Sequence, residues 1–237
     1  MRKALQEAGA QALLVTNPLS VLYLCGLRDV HWVLVTGRSV TVMPFRLSWE
    51  AVRSESARGW RVLEPSDVLK TLAGALKEER VRRLGVEASS MSVSAHAELK
   101  RGIGGQAVTV PAPGVVETVR ERKDAQEVSA LRRAGRIAAR VEGLFPRLLR
   151  AGRSESDVAV AIDRELRGSG ADGHAFDTIV LSGKRTALPH GRPSGRRLAR
   201  GDLCLVDFGA RVEGYHSDIT RVCAIGSATS RQRALYR

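Results

Sequence analysis

Two aspartates, Asp207 and Asp218, stand eleven positions apart in the stretch VDFGARVEGYHSDITRV, each inside a run that otherwise reads as β-strand. Buried strands rarely carry acid unless something neutralises it. DLCLVDFGA and YHSDITRVCAI read as the two arms of a hairpin joined by the turn-forming segment RVEG. A loop centred between Val212 and Glu213 sets Asp207 directly opposite Asp218, on one face, with Cβ atoms ~4.5–5.5 Å apart. At ~5 Å and an effective dielectric of ~20, two bare carboxylates repel by roughly 3 kcal/mol. That is a large fraction of a domain stability of ~5–15 kcal/mol. A proton on one carboxylate, an arginine between them, or hard divalent cations would each relieve it. Carboxylates projecting from adjacent strands would hold an ion rigidly, which favours the cations. A bulge at Gly214 or a one-residue slip would instead send the two acids to opposite faces. His216, two residues before Asp218, shares its face by strand alternation.

The elements that must position these residues fall into two groups. From residue 11 to about 112, short strands (ALLVT, RVLEP, RLGVEA, QAVTVPA) and a hairpin in WVLVTGRSVTVMPF alternate with helical stretches. The helices are SWEAVRSESA, DVLKTLAGALKEE and SVSAHAELKRGI. This alternation predicts an α/β domain with a mixed sheet. Pro111-Ala112-Pro113-Gly114 reads as the linker, which sets domains of 1–113 and 114–237. A helical tract follows from Glu117 to Arg150, kinked or broken at Pro146. A second helix starts at Ser154 with a capping box, SESD, and ends near Gly168–Gly170. The strand FDTIVLSG, the loop TALPHGRPSGRR and the aspartate hairpin complete an α+β unit. TSRQRALYR begins a last helix.

Composition narrows the class. Apolar residues make up 43% of the 237, enough for a packed core, and no apolar run approaches the ~20 residues of a membrane span. The N-terminal segment lacks the unbroken apolar stretch of a signal peptide, so the expectation is a cytoplasmic protein. Cys25, Cys204 and Cys223 form neither a disulfide framework nor a zinc pattern and read as small buried apolar residues. The net charge of +13 invites a nucleic-acid partner, but the basic residues are spread along the chain and aromatics are only 4%. A solvated arginine-rich surface, open to acidic partners, is the expectation. His31, His96 and His174 carry no motif and read as structural or solvated.

The stretch LPHGRPSGRRLARGDLCLVDFGARVEGYHSDITRV resembles the metallopeptidases of the creatinase, Xaa-Pro dipeptidase (prolidase) and aminopeptidase P family. ALLVTNPLSVLYLCGL and RLGVEASSMS are similar to that family's N-terminal domain, and RKDAQEVSALRRAGRIA to the first helix of its "pita-bread" catalytic domain. The resemblance implies a creatinase-like α/β domain followed by an incomplete α+β pita-bread domain. It implies two divalent ions, often manganese, with cobalt, zinc or iron as alternatives. Asp207 and Asp218 match two of the ligands, and a metal-activated water attacks the peptide bond before proline. His190 matches a histidine that contacts the substrate near the scissile bond. His216 lies in the motif without being a ligand, and supports the site or packs beside it. Xaa-Pro peptides as substrates and a homodimer are further implications. The family's remaining histidine and glutamate ligands follow the second aspartate by many tens of residues, whereas this sequence stops at Arg237. The expectation is a C-terminally truncated chain, inactive alone, with weak or no metal binding. A non-catalytic pita-bread module that binds an acidic partner is the alternative.

Overall fold

The computed structural model describes residues 2–55 and 59–236. The chain forms two compact units, Met1–Arg122 and Lys123–Arg237.

The first unit runs α1 (Arg2–Glu7), β1 (Ala12–Val15), α2 (Pro18–Cys25), β2 (Val30–Thr36), β3 (Val40–Pro44), α3 (Trp49–Ser54) and β4 (Arg61–Val62). It continues with α4 (Val68–Glu78), β5 (Arg83–Val86), α5 (Val93–Gly102), β6 (Val108–Pro111) and α6 (Val115–Glu121). The six strands lie in the order β4-β3-β2-β1-β5-β6. β1 pairs antiparallel with β2 and parallel with β5, so the sheet is mixed, as the alternation of patterns predicts. Its central strand reads ALLV without a polar residue because both faces are covered. Leu13 and Val15 join a core with Val21, Val115 and Val116, while Ala12 and Leu14 join one with Leu72, Leu76 and Leu99. The glutamate of GVEA is held for a reason of its own. Glu87 is buried, and its carboxylate accepts the backbone N–H groups of Thr16 (2.6 Å) and Asn17 (2.8 Å), tying the end of β5 to the start of α2. The strand expected over RVLEP shrinks to Arg61–Val62, and Ser56–Ala57 of the expected SWEAVRSESA helix lie outside the described residues.

The turn Pro111–Gly114 sits inside the first unit. Gly114 adopts φ 72° as the N-cap of α6, whose Val115 and Val116 pack into the first unit's core. The division between units therefore follows α6, and residues 114–122 belong with the N-terminal sheet. The long helix expected over 117–150 is likewise three helices: α6, α7 (Ala125–Glu142) and α8 (Phe145–Leu148). Asp124 explains the first break. Its side chain accepts the N–H groups of Gln126 and Glu127, while Glu127 accepts the N–H of Asp124, a complete capping box that starts a new helix.

The second unit continues with α9 (Glu155–Gly168), β7 (Gly173–His174), β8 (Ile179–Ser182), β9 (Leu203–Phe208), β10 (Ala210–Val212), β11 (Tyr215–His216), β12 (Ile219–Ala224) and α10 (Ser230–Tyr236). Its strands form two antiparallel sheets, β12-β9-β8 and β11-β10-β7. Ala134, Ala138 and Val141 of α7 and Val158, Ile162 and Leu166 of α9 bury the face presented by Val180, Cys204, Val206 and Phe208. Cys204 and Cys223 are free thiols, and burial pushes the Cys204 thiol up to about 12, which keeps it protonated and inert. Among the described residues, no helix is long and apolar enough to cross a membrane.

Candidate functional site

The aspartate hairpin turns at Glu213-Gly214, with Val212 paired to Tyr215 and Arg211 to His216. Glu213 (φ 52°) and Gly214 (φ 82°) both lie in the left-handed region, the requirement of a two-residue type I′ turn. The turn centre is therefore one residue later than the sequence reading placed it. The register moves by two residues, and Asp207 pairs with Thr220, not with Asp218. Asp207 thus shares a face with Thr220, and Asp218 immediately precedes β12, outside the paired residues. The direct opposition is corrected.

Between them the hairpin changes sheet. β9 ends at Phe208 and β10 begins at Ala210, while β11 ends at His216 and β12 begins at Ile219. A Cβ at Gly209 would lie 1.9 Å from the Ser217 carbonyl oxygen, so only glycine lets the two arms cross at this corner. Ser217 secures it: its Oγ accepts the Ala210 N–H at 2.9 Å, and its own N–H donates to the Ala210 carbonyl at 2.9 Å. Asp207 and Asp218 flank that corner.

Asp207 is half-buried, its Oδ1 accepting the Thr220 hydroxyl at 2.9 Å. Asp218 is exposed, and its side chain has no partner among the described residues. On the same face of the β12-β9-β8 sheet, Ile179, Leu205 and Val222 remain half-buried. The site is thus a pair of carboxylates at the edge of an apolar sheet face. His216 is exposed on β11 across from Arg211, in the other three-stranded sheet, so the strand alternation that was to link it to Asp218 is interrupted. Desolvation and the Arg211 guanidinium hold its imidazole below the usual range, favouring the neutral ring. His190 is exposed on the loop between β8 and β9. Of the remaining histidines, His96 bonds Thr109, His174 lies 3.6 Å from Asp163, and His31 meets Trp32 edge-on and Phe45 at a tilt. An open cleft of about 440 Å³ in the first unit, lined by His31, Phe45, Arg46 and Asp67 among others, contains none of the motif residues.

Model matches to two protein families span the chain. Residues 1–122 match the Creatinase/Prolidase N-terminal domain, and residues 129–237 match Metallopeptidase family M24. The chain belongs to the creatinase/prolidase family. Among its relatives, the "Uncharacterized peptidase YqhT" of Bacillus subtilis is 30% identical across the whole chain and 67% of its own length. The Xaa-Pro dipeptidase of Pyrococcus horikoshii is 31% identical over 95% of this chain and 63% of its own. A solved Xaa-Pro dipeptidase from Bacillus anthracis superposes with a TM-score of 0.93 at 31% identity, covering 99% of this chain and 66% of that one. The chain therefore spans about two thirds of the length of the relatives it matches.

M24 membership implies a metal centre, which the donor set of this chain tests. Among the described residues, no group of three or more His, Cys, Asp or Glu side chains is placed to hold a metal ion. Two carboxylates, one of them exposed, fall short of the ligand number and supporting hydrogen bonds that a tightly bound ion needs. The residues present do not by themselves fit a dinuclear centre.

One group escaped the sequence reading. Glu155 occupies the first position of α9 and is fully buried, yet the capping motif SESD drew attention only to Ser154 and Asp157. Its signal was the pair of distant serines, Ser182 and Ser194, each of which donates to its carboxylate.

Proposed function

We propose that this chain carries the aspartate half of the metal site of an Xaa-Pro peptidase, a metallopeptidase that hydrolyses the bond before proline. Asp207 and Asp218 are two ligands, and His190 contacts the peptide near the scissile bond. The observation that supports this reading is that the aspartates flank the Gly209 corner, Asp207 near the end of β9 and Asp218 just before β12. The other donors would come from polypeptide outside these 237 residues, matching the third of the relatives' length that the chain does not cover. On this reading the chain alone binds divalent metal weakly and does not turn over. Manganese is the proposed ion and Xaa-Pro peptides the substrates, with a homodimer in the cytoplasm as the working form.

Titration with Mn²⁺, followed by paramagnetic broadening of amide resonances, tests the site without requiring activity. Broadening should centre on Asp207, Asp218 and Thr220 and vanish in Asp207→Asn. Broadening elsewhere, or none at millimolar metal, sinks the assignment. Metal-dependent cleavage of Ala-Pro by residues 1–237 would overturn the statement that two carboxylates are too few.

A second reading has an observation of its own. Arg132, Arg136 and Arg140 lie one turn apart on the exposed side of α7 and form no ion pair among the described residues. Three like charges at this spacing cost a helix stability, which is consistent with a binding face for an acidic partner. Salt-sensitive binding of a labelled duplex, lost on replacing the three arginines with glutamine, would favour the binding module.

A further inference from the structure

Glu155 is a buried charge that its own helix does not use. Ser154 caps α9, its hydroxyl accepting the Asp157 N–H, and the Asp157 carboxylate accepts the Ser154 N–H. A glutamate at the first helical position normally lies in solvent, where it favours the helix dipole. Here the carboxylate is 0% exposed and takes five hydrogen bonds, none from α9. Oε1 accepts the N–H (2.8 Å) and hydroxyl (2.9 Å) of Ser182, where β8 ends. Oε2 accepts Arg185 Nε (3.1 Å) and the N–H (3.1 Å) and hydroxyl (2.7 Å) of Ser194.

Those donors are the two ends of one loop. Between Ser182 and Ser194 the chain makes a 3₁₀ turn, Gly183–Ala187, then passes through Leu188, Pro189, His190 and Gly191. Further ties close the same base. Arg185 Nη2 donates to the Arg192 carbonyl at 2.6 Å, and the Arg196 guanidinium reaches Asp202 (2.7 Å) and the Ser182 hydroxyl. The α9 backbone takes part as well, with the N–H groups of Glu155 and Ser156 donating to the carbonyls of Arg196 and Ser194 at 3.0 Å each. The tip packs down: a Cβ at Gly191 would lie 2.9 Å from a Leu181 methyl. Burying one carboxylate is strongly unfavourable unless its lone pairs are filled, and here the loop ends fill them.

We propose that Glu155 is the positioning residue of the His190 loop, a single carboxylate that staples the loop's two ends to the start of α9. It touches no substrate and acts through His190, so its bearing on peptide hydrolysis rests on the proposed role of that histidine. The staple itself is a statement about this chain alone.

Hydrogen exchange read by mass spectrometry on the full chain, with ¹H–¹³C spectra of the histidine rings, tests it. In Glu155→Gln the amide cannot accept from both serines, and one –NH₂ faces donors. Exchange across residues 183–195 should rise at least about tenfold relative to β9 and β12, the loss expected for hydrogen bonds to a charged group. The His190 ring signal should shift while that of His96, in the other unit, stays in place. Uniform acceleration over the second unit, or no acceleration, overturns the proposal. Ser194→Ala removes one loop donor and leaves the buried charge paired, so it decides the question if Glu155→Gln fails to fold: acceleration confined to 190–195 supports the staple, and none overturns it. A loop that loosens in Glu155→Gln while His190→Ala leaves affinity for Ala-Pro unchanged would retire the substrate role of His190 and keep the staple.

Discussion

At the scale of single residues, two positions outside the proposed ligand set shape the candidate site. Gly209 lets the hairpin cross itself between Asp207 and Asp218. Gly209→Ala should cost about 3 kcal/mol or more, because the obstructing atom is a backbone carbonyl that has nowhere to go. Urea denaturation measures this directly. Glu155 makes a pH prediction. Desolvation pushes its carboxyl up, but hydrogen bonds from Ser194 and Ser182 and the Arg185 charge outweigh it, and the group is held below the usual range. The stability that results is complete above the unfolded value of about 4.3 and is lost as pH falls through the lower folded value. Asp202, held low by Arg196, acts in the same sense. The urea midpoint should therefore fall as pH drops from 5 toward 3, and less steeply in Glu155→Gln than in the parent. Asp207 and Asp218 were legible in the sequence because acids inside strand patterns stand out. Glu155 was not, since a glutamate in the first turn of a helix is what an ordinary surface helix also shows.

At the scale of elements, most patterns with a local cause were legible, the break at Asp124 excepted, and those with a distant cause were not. The capping box at Ser154 and the strand order of the hairpin follow from neighbours within four residues. The split of the long helix at Asp124 is also local, and the charged run ERKDAQE concealed it. Asp124→Ala should cost about 1 kcal/mol by removing the cap of α7, read as a lower thermal midpoint of the second unit. The register error has a cleaner origin. RVEG offers two turn centres, and the left-handed backbone at Glu213, stabilised by an Asp172 carboxylate on its N–H at 2.6 Å, selects the later one. That carboxylate lies forty-one residues away and leaves no local mark.

At the scale of the whole molecule, the first unit has one six-stranded sheet with a core cluster on each face, and the second has two three-stranded sheets and a core of its own. Residues 1–122 should accordingly fold when expressed alone, with a cooperative thermal transition followed by circular dichroism. A molten fragment would show that the sheet relies on the second unit. Which pattern belongs to which unit was legible from the alternation of strands and helices. The place of division was not, because Pro111 and Gly114 look like a linker whether or not the next helix folds back onto the sheet behind it.

The position of β1 in the first sheet has a consequence for how the protein is made. β1 lies between β2 and β5, so the strand synthesised first ends in the middle. On a ribosome it can pair with β2 as soon as Thr36 emerges, but Arg83–Val86 arrive much later. Until then one hydrogen-bonding edge of ALLV stays open, and the nascent chain carries an apolar strand edge for the time needed to translate the intervening helices. At ~5–20 residues per second that wait is several seconds, long enough for a chaperone to find it.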